Sequence, residues 1–200
     1  CILAAGSPVF HEQFYGRTKE GVDSMEVEES TPAGFREFLQ FFYLSEVTLT
    51  NEHIDEVSRL ASRYGMFDCI NACAEFLVNQ VTMDNILWTY KWAIAWKNES
   101  LKQFCEKYIG ATIQDIFQTD AFKRCDRDVL QGILEIDKLA CKEVDVLDAC
   151  LSWATYACRI TGLDERKDIN LKTQLGDCFY LNRFGALKIE ELAAYSVSHG

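Results

Sequence analysis

Nine cysteines and three histidines are the residues of this chain best suited to chemistry. A thiol acts as nucleophile or metal ligand only as thiolate, which at neutral pH needs a histidine, a cation or a metal beside it. The spacings supply none. No Cys-x-x-Cys pair occurs, and His11, His53 and His199 lie far apart in the sequence. Structural zinc wants ligands paired at close spacing, so neither a metal nor a cofactor is expected. Cys69, Cys73, Cys105, Cys150 and Cys158 fall instead at helical intervals among apolar residues, where a thiol behaves as a small hydrophobe. Cys125 and Cys178 read as core or half-exposed thiols of the same kind. Reduced thiols in this number point to a reducing compartment, the cytoplasm first and the nucleus as an alternative.

Carboxylates offer no better start. Glu28/Glu29 and Glu190/Glu191 are adjacent in sequence, and helix neighbours diverge by roughly 100°, so neither pair converges on a reacting centre. The chain holds no GxGxxG, GxxxxGK[ST], GxSxG or HExxH. It is not expected to be an enzyme. With 31 acidic against 20 basic residues, a net charge of −11 repels phosphate backbones, which argues against nucleic acid as a partner. No apolar run approaches the roughly 20 residues that cross a bilayer, and the apolar opening lacks the basic lead of a signal peptide. Membrane is not an expected partner either.

The elements that remain are helices. Two prolines and eleven glycines leave little room for a turn-rich sheet. After an opening helix, residues 16–25 read as loop, and "MEVEE" (Met25 to Glu29) alternates as one short strand would. "STPAGFREFLQFFYLSE" places Ser30 or Thr31 at an N-cap and Pro32 at the first helical position. Phe35, Phe38, Leu39 and Phe42 then follow at i, i+3, i+4, i+7. Asn51 is the expected cap of the next helix, with Ile54, Val57, Leu60, Ala61 and Tyr64 on its inner face and Gly65 closing it. A third helix starts near Phe67. From residue 82 the pattern becomes a succession of helical hairpins, with short helices at Ile113–Phe117 and Val129–Leu134 and a longer one from Val144 to Arg159. Two units are expected, 1–80 and 81–200. Their helix pairs share no fixed period, which makes a regular solenoid a poor fit.

What could act on a partner is a set of aromatics lying off the buried stripes. Phe41, Tyr43 and Leu44 stand at a helix C-terminus, and Trp88 and Trp92 are i, i+4 on a helix whose main apolar face is offset from them. Such residues are either part of a broad core face or a binding surface, where aromatics concentrate binding energy.

Several of these segments resemble a known family. "LAAGSPVF" is similar to the LAA-x-SP-x-F helix of BTB/POZ domains, and "MEVEE", "TPAGFREFLQFFYLSEVTL" and "NEHIDEVSRLASRYGMFDCINACAEFL" follow in that family's order, Leu60-Ala61-Tyr64 included. "TMDNILWTYKWAIAWKNESLKQFCEKYI" and "EVDVLDACLSWATYAC" resemble the BACK domain, with Glu143, Leu147 and Trp153 in comparable places. "YLNRFGALKIEELA" looks like a segment of the BTB–BACK subgroup that ends in a PHR domain, with Gly185 and Leu187 departing from its usual Pro and Met. The fold this implies is mostly α: a BTB/POZ domain with a remnant strand, N-terminally truncated, then an all-helical BACK domain.

The resemblance also implies a function: a non-enzymatic substrate adaptor of a cullin-RING ubiquitin ligase. The cullin-facing residues carried over by position are Tyr43, Leu44, Glu46, Trp88 and Trp92. A cullin scaffold, a second copy of the chain, and a substrate bound through a domain outside residues 1–200 are the implied partners. Family members place a dimerisation helix and two strands ahead of "LAAGSP". Residues 1–200 alone are therefore expected to be monomeric or unstable, with an impaired dimer, an expectation that light scattering tests. The alternative is a helical scaffold or transcription-linked BTB protein not coupled to ubiquitination.

Overall fold

Each of the chain's two prolines follows a hydroxyl residue, and each pair starts a helix. In a computed structural model, which describes residues 1–16, 27–44 and 47–181, the Ser7 hydroxyl accepts the amide of Phe10 at 3.2 Å and the Thr31 hydroxyl that of Gly34 at 3.0 Å. A capping hydroxyl satisfies an otherwise orphaned N–H, and proline at the next position costs no bond. The chain divides into two units, Cys1–Gln80 and Val81–Gly200.

The first unit holds α1 (Ile2–Gly6), α2 (Pro8–Tyr15), α3 (Pro32–Tyr43), α4 (Ile54–Arg63) and α5 (Phe67–Asn79). Its centre is aromatic. Phe10 and Phe38 are fully buried, and complete burial of a Phe side chain contributes roughly 1.5–3 kcal/mol. Phe10 stacks on Tyr64 with centroids 4.0 Å apart and meets Phe42 edge-on at 5.8 Å. Phe14 follows Phe10 on α2 but stays 37% exposed. The inner face of α4 is buried through Ile54, Val57, Leu60, Ala61 and Tyr64, as the period requires. Gly65 follows at φ 68°, a left-handed conformation that a side chain would strain.

Ser7 joins the two ends of this unit. Its hydroxyl donates to the Tyr64 carbonyl at 2.6 Å while accepting from Phe10, and both bonds are buried. The Ser-Pro-x-Phe and Leu-Ala-x-x-Tyr segments are thus one contact: hydroxyl on carbonyl, ring on ring.

Two expectations are corrected here. No strand occurs among the described residues. Met25 and Glu26 lie outside them, and Glu28 and Glu29 form a turn with Glu29 at φ 58°. A lone strand has no edge to pair with. Arg63 fixes the turn instead, donating to the Glu28 carbonyl at 3.0 Å and pairing with the Glu29 carboxylate at 3.7 Å. Nor does Asn51 cap α4: His53 occupies that position without a side-chain bond. The turn before it is closed by the Thr50 carbonyl, which accepts from His53 and Ile54 at 3.3 and 3.0 Å.

The second unit holds α6 (Ile86–Ala95), α7 (Glu99–Phe117), α8 (Asp120–Arg124), α9 (Arg127–Leu134), α10 (Glu143–Thr161), α11 (Asp168–Leu175) and α12 (Cys178–Leu181). Ile113–Phe117 is not a separate helix but the end of α7. The bend that separates it lies at Thr112 (φ −116°, ψ 16°), whose hydroxyl donates to the Tyr108 carbonyl at 2.8 Å, a bond that competes with the helix ladder. α10 buries Val146, Ala149, Cys150, Trp153, Ala154 and Cys158. Trp153 satisfies its indole N–H on the Cys125 carbonyl at 2.9 Å, tying α10 to the end of α8. Tyr90 is fully buried with its hydroxyl donating to Glu106 at 3.2 Å. Residues 182–200, which hold most of "YLNRFGALKIEELA", fall outside the described residues.

Candidate functional site

Tyr43 and Leu44 are exposed because of where they sit on α3. Phe38 and Phe42 turn inward with rings 5.5 Å apart, and the next residue on a helix points roughly 100° away. Tyr43 is accordingly 57% and Leu44 55% exposed. Phe41 is half-buried and belongs partly to the core. Glu46 lies outside the described residues.

Two buried carboxylates hold α3 in place. Glu37 accepts from the amide and hydroxyl of Thr50 at 2.7 and 2.9 Å. Gln40 accepts the Thr48 amide at 3.0 Å. Thr48 and Thr50 therefore find hydrogen bonds on α3 side chains. At the other end, Glu56 of α4 accepts from Ser30 Oγ at 2.7 Å, from the Thr31 amide at 2.5 Å and from Thr31 Oγ1 at 2.9 Å. Gly34 is needed there, since a Cβ would collide with the Glu56 carboxylate. Burial raises the Glu56 pKa, but the bonds from Ser30 and Thr31, helped by His53, outweigh it and hold the carboxyl below its ordinary value.

In the second unit, α6 turns Ile86, Leu87, Tyr90 and Ala93 inward. Trp88, 39% exposed, lines a groove of about 210 Å³ with Asp84, Leu87, Lys91, Arg124 and Val129. Lys91 meets Asp126 at 2.6 Å at this groove. Trp92 is half-buried, its ring 6.0 Å from Trp88 and 5.0 Å from Trp96. Trp88, Trp92 and Trp96 thus form a ladder at i, i+4, i+8. The indole N–H groups of Trp92 and Trp96 are buried without a hydrogen-bond partner among the described residues. Tyr43 and Leu44 stand in the first unit, and Trp88 and Trp92 in the second. Spacing alone could have added Trp96 to the sequence-derived set. Glu56 and Glu37 carried no such signal, because their partners come from distant loops.

Burial pushes the thiols of Cys105 and Cys125 up to about 12 and that of Cys141 to about 11, which keeps them protonated and unreactive at neutral pH. No group of three His, Cys, Asp or Glu among the described residues could hold a metal ion. No described helix is long and apolar enough to cross a membrane.

Residues 1–81 match the family model of the BTB/POZ domain, and residues 86–162 match the one described as BTB And C-terminal Kelch, or BACK. The chain is similar to BTB/POZ domain-containing protein 3 of Homo sapiens, 27% identical over 204 residues that cover 100% of this chain and 38% of the relative. It is similar to BTB/POZ domain-containing protein 6-A of Danio rerio, 28% identical over 192 residues, covering 96% of this chain and 35% of that protein. Protein 6 of Mus musculus matches at the same 28% identity, 96% and 35% coverage. The chain thus spans little more than a third of the length of these relatives.

Proposed function

We propose, from a chain that carries a BTB/POZ domain followed by a BACK domain, that it is part of a protein-interaction adaptor that presents substrates to a cullin-RING ubiquitin ligase. The observation that carries this reading is the direct succession of the two domains. The adaptor has no catalytic activity of its own. Its domain limits are 1–80 and 81–200, supported by the division of the fold after Gln80. Tyr43, Leu44 and Glu46 in the first unit, with Trp88 and Trp92 in the second, form the cullin-facing set. The exposure of Tyr43, Leu44 and Trp88 supports it, since aromatic anchors carry most of the energy of such contacts.

In this reading the intact protein is a homodimer, its substrate binds through a domain outside this chain, and "YLNRFGALKIEELA" favours a PHR domain for that role. None of the nine cysteines is in a disulfide, which suits a reducing compartment such as the cytoplasm. Affinity capture of the full-length protein from cells, followed by immunoblotting for cullins, tests the reading. Recovery of a cullin at near-stoichiometric level is the expected result. A dimeric full-length protein that brings down no cullin would favour a helical scaffold or a transcription-linked role.

A further inference from the structure

The two hydroxyl–proline pairs are presented in opposite ways. Ser7 is 1% exposed, and its hydroxyl is enclosed between the Tyr64 carbonyl and the Phe10 amide. Thr31 is exposed, as are Pro32 and Ala33 after it. Its backbone is extended (φ −85°, ψ 152°), the conformation that a following proline favours. A kinase directed by proline requires an exposed residue on extended backbone with proline next in the chain; the Thr31 hydroxyl must also leave its part-buried bonds to Glu56 and the Gly34 amide.

We propose that Thr31 is a phosphorylation site for a proline-directed Ser/Thr kinase, and that the phosphate unlocks the start of α3. In the transfer, Thr31 Oγ1 bonds to the γ-phosphorus of ATP as the bond from that phosphorus to the bridging oxygen breaks. ADP leaves, and the hydroxyl proton passes to the kinase. The unmodified hydroxyl does two things at once: it caps α3 through the Gly34 amide and donates to Glu56 at 2.9 Å. The ester has no proton to donate. It also sets a charge of about −1.5 to −2 against the Glu56 carboxylate, which already accepts from Ser30 and from the Thr31 amide. Arg63 is already engaged, bonded to the Glu28 carbonyl and paired with Glu29. A phosphate beside a carboxylate repels, where one beside a free arginine would dock. This inference does not depend on the adaptor reading, because its readouts are the phosphate and the stability of the first unit.

The test incubates the full chain with a purified proline-directed kinase and ATP, alongside synthetic peptides spanning 2–14 and 25–37, with sites mapped by mass spectrometry. Both peptides should be labelled. The folded chain should be labelled at Thr31 and not at Ser7. A folded chain bare at Thr31, whether or not its peptide is labelled, overturns the assignment. Thermal unfolding followed by amide exchange in α3 and α4 then compares the phosphorylated and unmodified chains. The phosphorylated form should melt lower by roughly 4–8 °C. In the Glu56→Gln background phosphorylation should cost about half as much, because the opposed charge is gone. A phosphorylated chain as stable as the unmodified one overturns the unlocking.

Discussion

Replacing Ser7 by alanine should damage the first unit more than its small change in volume suggests. The hydroxyl is 1% exposed and serves two backbone groups 57 and 3 residues away, the Tyr64 carbonyl at 2.6 Å and the Phe10 amide at 3.2 Å. Losing an N-cap hydroxyl costs about 1 kcal/mol, and leaving a buried carbonyl unsatisfied costs about 1–3 kcal/mol more. The sum is roughly 2–4 kcal/mol, and for a unit of this size it corresponds to a fall in Tm on the order of 10–20 °C. All four tryptophans (Trp88, Trp92, Trp96 and Trp153) lie in the second unit, so their fluorescence is the wrong probe. Hydrogen exchange of the α2 and α4 amides across a thermal or urea series reads the first unit directly. A Ser7→Ala chain within about 0.5 kcal/mol of wild type, the range of a neutral surface change, would refute the claim that this hydroxyl closes the unit.

Further predictions follow from the two units. The Glu56 carboxyl is held below its ordinary value in the folded state, so the stability it adds is full above its unfolded pKa and is lost as pH falls through the lower, folded one. The urea midpoint of the α3 and α4 amides should therefore drop on acidification below about pH 4.5, and Glu56→Gln should flatten that dependence. Gly132→Ala would set a Cβ 2.7 Å from the Tyr90 hydroxyl. Tyr90 is fully buried and cannot swing aside, so overpacking should outweigh the gain in helix propensity and destabilise by about 1–2 kcal/mol, read by tryptophan fluorescence in urea.

Much of the architecture was legible because helices carry a strong period. The inner face of α4 and the bounds of α3 follow from spacing and from Thr31-Pro32 alone. What the period could not carry were contacts between residues far apart in the chain. Glu56 is buried because Ser30 and Thr31 arrive from 26 and 25 residues away. "MEVEE" alternates like a strand, but alternation is only a preference, and the Arg63 contacts make its end a turn. The bend at Thr112 reads as two helices in sequence, since a local loss of helical geometry looks like a boundary there. Among the site residues, the exposure of Tyr43 and Leu44 was legible from the Phe38–Phe42 stripe. The buried indole N–H groups of Trp92 and Trp96, without an acceptor among the described residues, were not, because periodicity does not say where an N–H finds an acceptor.

The adaptor reading rests most directly on whether the surface at the end of α3 binds a cullin. Isothermal titration of the full-length protein with a purified cullin N-terminal domain, wild type against Tyr43→Ala, measures this in one experiment. Tyr43 is 57% exposed, so its removal should leave the melting temperature unchanged. As an anchor worth about 1.5–2 kcal/mol, it should weaken binding roughly 10- to 30-fold. Equal affinity of the two proteins, or no binding by the wild type, would contradict the account.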